Sequence, residues 1–256
     1  MIDDGLAGIG VLVTRPRHQA AELVAAITAS GGVAIEFPVI DIIPCDREVI
    51  DRARGALRDP DIVIFVSPNS VRYGLAYAES ARIAVVGPAT AKAVESAGRR
   101  VDIRSPSGYD SEHLLVEPEL QDVKGRVVRI VRGASGRELL ADTLRDRGAI
   151  VDYLPVYERQ IPDYQAADIE HLERQWRAGA INVITIMSVE SLHNLFAVLP
   201  EWCISRLEYT PLVTPAARVI QEARDRFPDI PATLARGPGA SEIVDAIMAC
   251  TKDLTG

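Results

Sequence analysis

Cysteine is scarce in this 256-residue chain: Cys45, Cys203 and Cys250 are odd in number and far apart, with no Cys-x-x-Cys pair and no histidine at ligand spacing. That pattern excludes a disulfide scaffold and a zinc ribbon, and it suits a reducing compartment. The four histidines, His18, His113, His171 and His193, are scattered and suggest neither a metal site nor a catalytic pair. No apolar run approaches the ~20 residues that span a bilayer. The opening Met1-Ile2-Asp3-Asp4 also lacks the basic stretch of an export signal, so a cytoplasmic location is expected. Positive charge is in deficit as well. A net charge of −8 repels nucleic acid and anionic membranes, so an acidic ligand has to be met by local cations. No Gly-x-Gly-x-x-Gly is present, and Gly133-Ala134-Ser135-Gly136 lacks the lysine and spacing of a phosphate loop, which weighs against a nucleotide-binding protein.

What the chain does have is itself, twice. Val11-Leu12-Val13-Thr14-Arg15-Pro16, continuing through Gly31-Gly32 to Phe37-Pro38-Val39, returns as Arg129-Ile130-Val131-Arg132, then Gly148-Ala149, then Leu154-Pro155-Val156. Arg132 minus Arg15 and Pro155 minus Pro38 both give 117. Residues 61–67 likewise match 182–188, Val85-Val86-Gly87-Pro88-Ala89 matches Leu212-Val213-Thr214-Pro215-Ala216, and Asp110-Ser111-Glu112-His113 matches Ala240-Ser241-Glu242-Ile243. Length and duplication together indicate two domains.

Short Val/Ile-rich runs at 10–13, 62–66, 83–86, 127–131, 183–187 and 212–213 predict strands buried on both faces. Helical stripes follow: Ala20, Leu23, Val24 and Ile27 in one copy, Leu139, Leu140 and Leu144 in the other, with Gly31-Gly32 and Gly148 as left-handed stops. Alternating strand and helix indicates an α/β fold with open parallel sheets. Two proline-bracketed segments, 37–44 and 154–162, occupy equivalent places and are barred from helix. Their likeness favours a crossing-over in which they run side by side as a bridge. Domain one is then 1–38 plus 163–256, domain two 46–154, and 39–45 with 155–162 the linkers.

The ordered pieces Val11-Leu12-Val13-Thr14-Arg15-Pro16, Phe37-Pro38, Ile64-Phe65-Val66-Ser67-Pro68-Asn69-Ser70-Val71, Val85-Val86-Gly87-Pro88-Ala89-Thr90-Ala91, Tyr109-Asp110-Ser111-Glu112-His113-Leu114-Leu115, Arg132-Gly133 with Gly136-Arg137-Glu138-Leu139-Leu140, and Pro155-Val156-Tyr157-Glu158-Arg159 resemble uroporphyrinogen-III synthases over essentially the whole chain. The resemblance implies two flavodoxin-like, doubly wound domains joined by a two-stranded β-ladder, the first discontinuous. It implies a cyclising lyase of heme biosynthesis that needs no cofactor or metal. The reaction closes hydroxymethylbilane to uroporphyrinogen III in an interdomain cleft, with inversion of the last pyrrole ring and loss of water. It further implies a monomer that receives its substrate from the preceding deaminase, and Tyr157 as the general acid at the leaving hydroxyl.

A substrate with a carboxylate on every arm wants anion sites, and strand-to-helix turns supply them at helix N-termini. Such turns fall at 14–18, 67–71, 88–91, 132–137, 188–191 and 215–218. The candidate substrate-binding residues are Arg15, Arg17, Ser67, Thr90, Ser111, Arg132, Gly133, Arg137 and Ser188, the arginines as planar forks for carboxylates. Bland readings stand beside these. Ser67 and Ser188 fit as helix caps, Ser111 and Ser241 as helix starts, Thr90 as either cap or carboxylate donor, and Arg15 and Arg132 as solvated charges. Without the family Tyr157 is a packing residue. Ala217 stands where relatives often keep a hydroxyl, which argues against a symmetrical site. The competing function is a non-catalytic tetrapyrrole- or carboxylate-binding regulator on the same fold.

Overall fold

In the computed structural model the described residues are 5–55, 59–108 and 110–252; Tyr109 and the Met1–Asp4 opening lie outside them. The chain begins β1 (Gly10–Val13), α1 (Arg17–Ala29), β2 (Val33–Glu36), β3 (Asp41–Pro44), α2 (Arg47–Arg54), β4 (Ile62–Phe65), α3 (Pro68–Gly74), β5 (Arg82–Val85), α4 (Pro88–Ser96) and β6 (Ile103–Arg104). It continues α5 (Ser111–Leu114), α6 (Pro118–Gln121), β7 (Val127–Gly133), α7 (Leu139–Asp146), β8 (Ile150–Gln160) and α8 (Ala166–Arg177). It ends β9 (Val183–Thr185), α9 (Val189–Val198), α10 (Glu201–Leu207), β10 (Leu212–Thr214), α11 (Ala217–Arg226), β11 (Ala232–Leu234) and α12 (Ala240–Thr251).

Two compact units divide these elements: residues 1–41 with 160–256, and residues 42–159. Unit 1 holds a five-stranded sheet in the order β11-β10-β9-β1-β2; the sheet of unit 2 runs β3-β8-β7-β4-β5-β6. Parallel pairing connects all five strands of the first sheet and links β8 through to β6 in the second. Numbered by place in the repeat, each sheet reads 2-1-3-4-5, as β2-β1-β9-β10-β11 and as β8-β7-β4-β5-β6. In unit 2 the later half of that pattern comes first along the chain.

The register repeats too. Gly10 faces Val33 and Val13 faces Glu36 in unit 1; 117 residues on, Val127 faces Ile150 and Ile130 faces Tyr153. Even the strand starts are tied alike. The Asn182 side-chain oxygen accepts the Gly10 N–H at 2.7 Å, and Asp61 Oδ2 accepts the Val127 N–H at 2.7 Å.

Strands form where predicted because their side chains are buried on both faces. All four residues of β1 and of β4 are buried, as helices on either side of a parallel sheet require. In α1 the stripe Ala20, Leu23 and Ile27 enters the core beside Val11, Val13, Val183 and Ile243. Each such aliphatic side chain removed from water stabilises by roughly 1.5–3 kcal/mol. The helix stops where Gly31 takes φ +83°, and Gly148 takes φ +84° at the matching place in unit 2. One expectation fails here. The buried face of α7 is Leu140, Ala141 and Leu144, while Leu139 is exposed, because the helix begins only at that residue and its inward face starts one step later.

Candidate active site

In an open parallel sheet, the helices that follow the two strands flanking an order reversal leave on opposite faces, opening a crevice outside the carboxyl ends. The reversal in unit 2 falls between β7 and β4, whose last paired residues are Val131 and Phe65. The residues just beyond are Arg132 and Gly133 on one side, Val66 and Ser67 on the other. In unit 1 the reversal lies between β1 and β9, beyond which come Thr14, Arg15 and, in the turn to α9, Ser188.

Ser67 caps α3. Its backbone is extended (φ −159°, ψ 161°), its Oγ accepts the Ser70 N–H at 3.1 Å, and Ser70 Oγ accepts the Ser67 N–H at 3.1 Å. Such a cap contributes about 1 kcal/mol. The same Oγ stands 3.2 Å from the Tyr157 hydroxyl. A β-bulge makes that meeting possible: β8 pairs Pro155 with Arg132 but Tyr157 with Gly133, so one extra residue re-aims the tyrosine. Gly133 is required there, since a Cβ would lie 2.9 Å from Tyr157 Cε2. Tyr157 is 4% exposed, and its ring lies 6.2 Å from that of Tyr73. A cavity of about 180 Å³ reaches it, lined by Val66, Ser111, Arg132, Arg137 and Leu140 among others.

Arg132 is buried. Nη1 donates to Glu138 Oε1 at 3.0 Å, and the guanidinium carbon sits 4.6 Å above the Tyr153 ring. Tyr153 donates its hydroxyl hydrogen to the other oxygen of Glu138. That hydrogen bond, and then Arg132, holds the Glu138 carboxyl below its ordinary range, while burial and Glu138 push Tyr153 up to about 12. The expectation of Arg132 as a solvated charge is therefore corrected; desolvated among strand ends, it needs an anion and has one. Arg137 is exposed at the rim.

Two further predicted residues lie at neighbouring turns. Thr90 is the third residue of α4 and 3% exposed, and the cap position belongs to Gly87. Ser111 is the first residue of α5, whose cap is Asp110, accepting the His113 N–H at 2.9 Å. The α4 turn borders a cavity of about 280 Å³ also lined by Arg104 and Ser105. Sequence reasoning missed both, and it missed Glu138 and Tyr153 as partners of Arg132. The run Arg137-Glu138 after a strand was the available signal for Glu138.

At the carboxyl edge of unit 1, Arg15 reaches across to the Pro238 carbonyl, and its buried Nε has no hydrogen-bond partner among the described residues. Burial lowers its pKa, with Glu22 opposing. Arg17 opens α1 and is exposed. Ser188 caps α9, accepting the Ser191 N–H at 3.1 Å. Ser241 lies second in α12, after a Gly239 cap, and bonds Glu242 Oε2 at 3.0 Å. Among the described residues no cluster of three His, Cys, Asp or Glu side chains could hold a metal ion, and no helix is long and apolar enough to cross a membrane.

This α/β unit brings a buried tyrosine hydroxyl and a buried arginine together at its switch point. The model of the family Uroporphyrinogen-III synthase HemD matches residues 21–227. The uroporphyrinogen-III synthase of Salmonella typhimurium LT2 is 32% identical over 206 residues, covering 76% of this chain and 81% of the relative. That of Escherichia coli K12 is 29% identical over 204 residues, with the same shares. The solved uroporphyrinogen-III synthetase of Helicobacter pylori superposes with TM-score 0.64 at 11% identity, covering 94% of this chain and 99% of that one. A Thermus thermophilus uroporphyrinogen III synthase mutant gives 0.59 at 19%, covering 96% and 99%; these two likenesses speak to the fold alone. The chain belongs to the uroporphyrinogen-III synthase family, a family of lyases in heme biosynthesis.

Proposed function

We propose that this chain closes hydroxymethylbilane to uroporphyrinogen III, and that the carboxyl edge of unit 2 supplies the proton. The observation that carries the placement is the Tyr157 hydroxyl, 3.2 Å from Ser67 Oγ in a cavity that also meets Arg132. Tyr157 donates to the leaving hydroxyl of the linear tetrapyrrole, which departs as water and leaves an azafulvene. Ring closure through a spiro intermediate, fragmentation and reclosure then invert the last ring. A phenol suits this step, since its O–H is a hydrogen-bond donor that can be aimed at the leaving oxygen.

Ser67 Oγ already accepts the Ser70 N–H. In this reading the serine hydrogen points at the tyrosine oxygen, leaving the phenolic hydrogen for substrate. Arg15, Arg17, Arg132 and Arg137, with Thr90 in the first turn of α4 and the helix starts at Ser67, Ser111 and Ser188, receive the acetate and propionate arms. Positioning by many donors carries most of the rate. In this reading each unit is a flavodoxin-like domain, residues 39–45 and 155–162 form the ladder linker, and a cytoplasmic monomer takes substrate from the deaminase that makes it.

The test mixes the protein with freshly generated hydroxymethylbilane and separates the isomers. Type III product is expected; type I alone, the spontaneous outcome, rejects the enzyme and leaves the regulatory binder.

A further inference from the structure

The tie between Arg132 and Glu138 is unequal. The arginine side chain is 9% exposed and the glutamate 53%. An unpaired guanidinium at that depth is costly, whereas a half-exposed carboxylate returns to water with little loss. Arg132 is thus the fixed half of the pair and always needs an anion; Glu138 is the half that can leave. It precedes α7 at the cap position, yet its side chain makes no capping hydrogen bond.

What surrounds its carboxylate is a recognition set for carboxylates: one planar guanidinium, one phenolic hydroxyl from Tyr153, and Arg145 over the same ring at 5.6 Å. Two cavities adjoin it. One, of about 140 Å³, is lined by Arg132, Glu138, Tyr153 and Pro155; the other, of about 180 Å³, contains Tyr157. Arg132 and Gly133 line both, so an anion entering beside Tyr157 meets the guanidinium that Glu138 holds.

We propose that Glu138 is an internal stand-in for a substrate carboxylate, occupying the Arg132–Tyr153 niche until an acetate or propionate arm of the substrate displaces it. The inference rests on the reading of unit 2 as the substrate site. The lowered pKa of Glu138 agrees with it, since a niche that keeps this side chain ionised favours any carboxylate placed there. The stand-in keeps a buried arginine paired between turnovers and makes substrate compete for its anchor. Its counterpart Arg15 donates to a backbone carbonyl, which no ligand has to expel.

The test uses the full chain with Glu138→Ala, Glu138→Gln and the double change Glu138→Ala/Arg132→Ala, read by acetate titration with NMR and by KM for hydroxymethylbilane. Emptying the niche should tighten acetate binding at least tenfold and lower KM severalfold in Glu138→Ala. Glu138→Gln, which keeps the shape without the charge, should move the same way by less. The double change should erase the gain, because the anchor is gone. A KM that rises in Glu138→Ala shows that Glu138 positions Arg132 for substrate and overturns the proposal, as does unaltered acetate affinity in both single variants. Acetate binding requires no turnover. Wild-type protein that makes only type I product therefore sinks the reading of the function, while type III product with unmoved acetate affinity sinks this inference alone.

Discussion

The same pair of strands is built twice in this molecule, and the two versions differ most where the register is identical. Leu12 faces Ile35 in unit 1; 117 residues later Arg129 faces Asp152. The first pair is ordinary core. The second is a bidentate ion pair with Arg129 Nη2 2.7 Å from Asp152 Oδ2 and side chains 4% and 11% exposed. One backbone therefore tolerates either solution, and the charges are not what specifies the sheet. The turns at the ends of these strands diverge similarly. Arg15 gives its fork to a carbonyl and keeps an orphan Nε, while Arg132 holds a carboxylate beside the bulge that presents Tyr157. Identical topology thus carries an arginine tied to a carbonyl in one unit and an arginine tied to a carboxylate beside a bulged tyrosine in the other.

The largest effect is expected from the ion pair. Arg129→Leu or Asp152→Ile alone strands a buried charge and should cost about 3–5 kcal/mol in urea unfolding. Both together, copying unit 1, should recover most of that loss; a double variant as unstable as the singles denies the equivalence. Next comes the site. Arg15→Ala with Arg132→Ala should weaken substrate or product binding roughly tenfold or more, as loss of charged hydrogen bonds at ~1.5–3 kcal/mol implies. Most of it should come from Arg132, and an unaltered affinity misplaces the site. Tyr157→Phe should lower turnover severalfold with the unfolding midpoint unchanged, and full turnover removes Tyr157 as the acid.

The smallest effect concerns two tyrosines, one per unit. Tyr153 and Tyr164 are both pushed up to about 12, each first by burial; Tyr164 also donates to the Pro38 carbonyl at 2.9 Å and stacks on Phe37. A phenol with a raised folded pKa stabilises below its unfolded value of 10.0, and that contribution is lost as pH climbs from there toward about 12. Absorbance titration should show two late phenols. Tyr153→Phe and Tyr164→Phe should each remove one.

Much of this fold was legible because it depends on local pattern. Buried Val/Ile runs, the α1 stripe and the glycines at 31 and 148 sit where periodicity put them. The cap at Ser67 was equally plain, since serine before proline and a helical run has few other uses. What stayed hidden depends on which strands become neighbours. Nothing in Arg129 or Asp152 alone announces a buried pair 23 residues apart, and the bulge opposite Gly133 exists only once β7 and β8 are zipped. Glu138 escaped notice because its partner's burial follows from the switch point, a property of the sheet and not of the segment.

The most direct test of the account is a crystal structure grown anaerobically with uroporphyrinogen III bound. The account predicts product carboxylates on Arg132 and at the α3 N-terminus near Ser67, with the Tyr157 hydroxyl facing the macrocycle. Product held instead at the amino end of the unit 1 sheet, among Trp176, Asn182, Arg206 and Thr210, would contradict it.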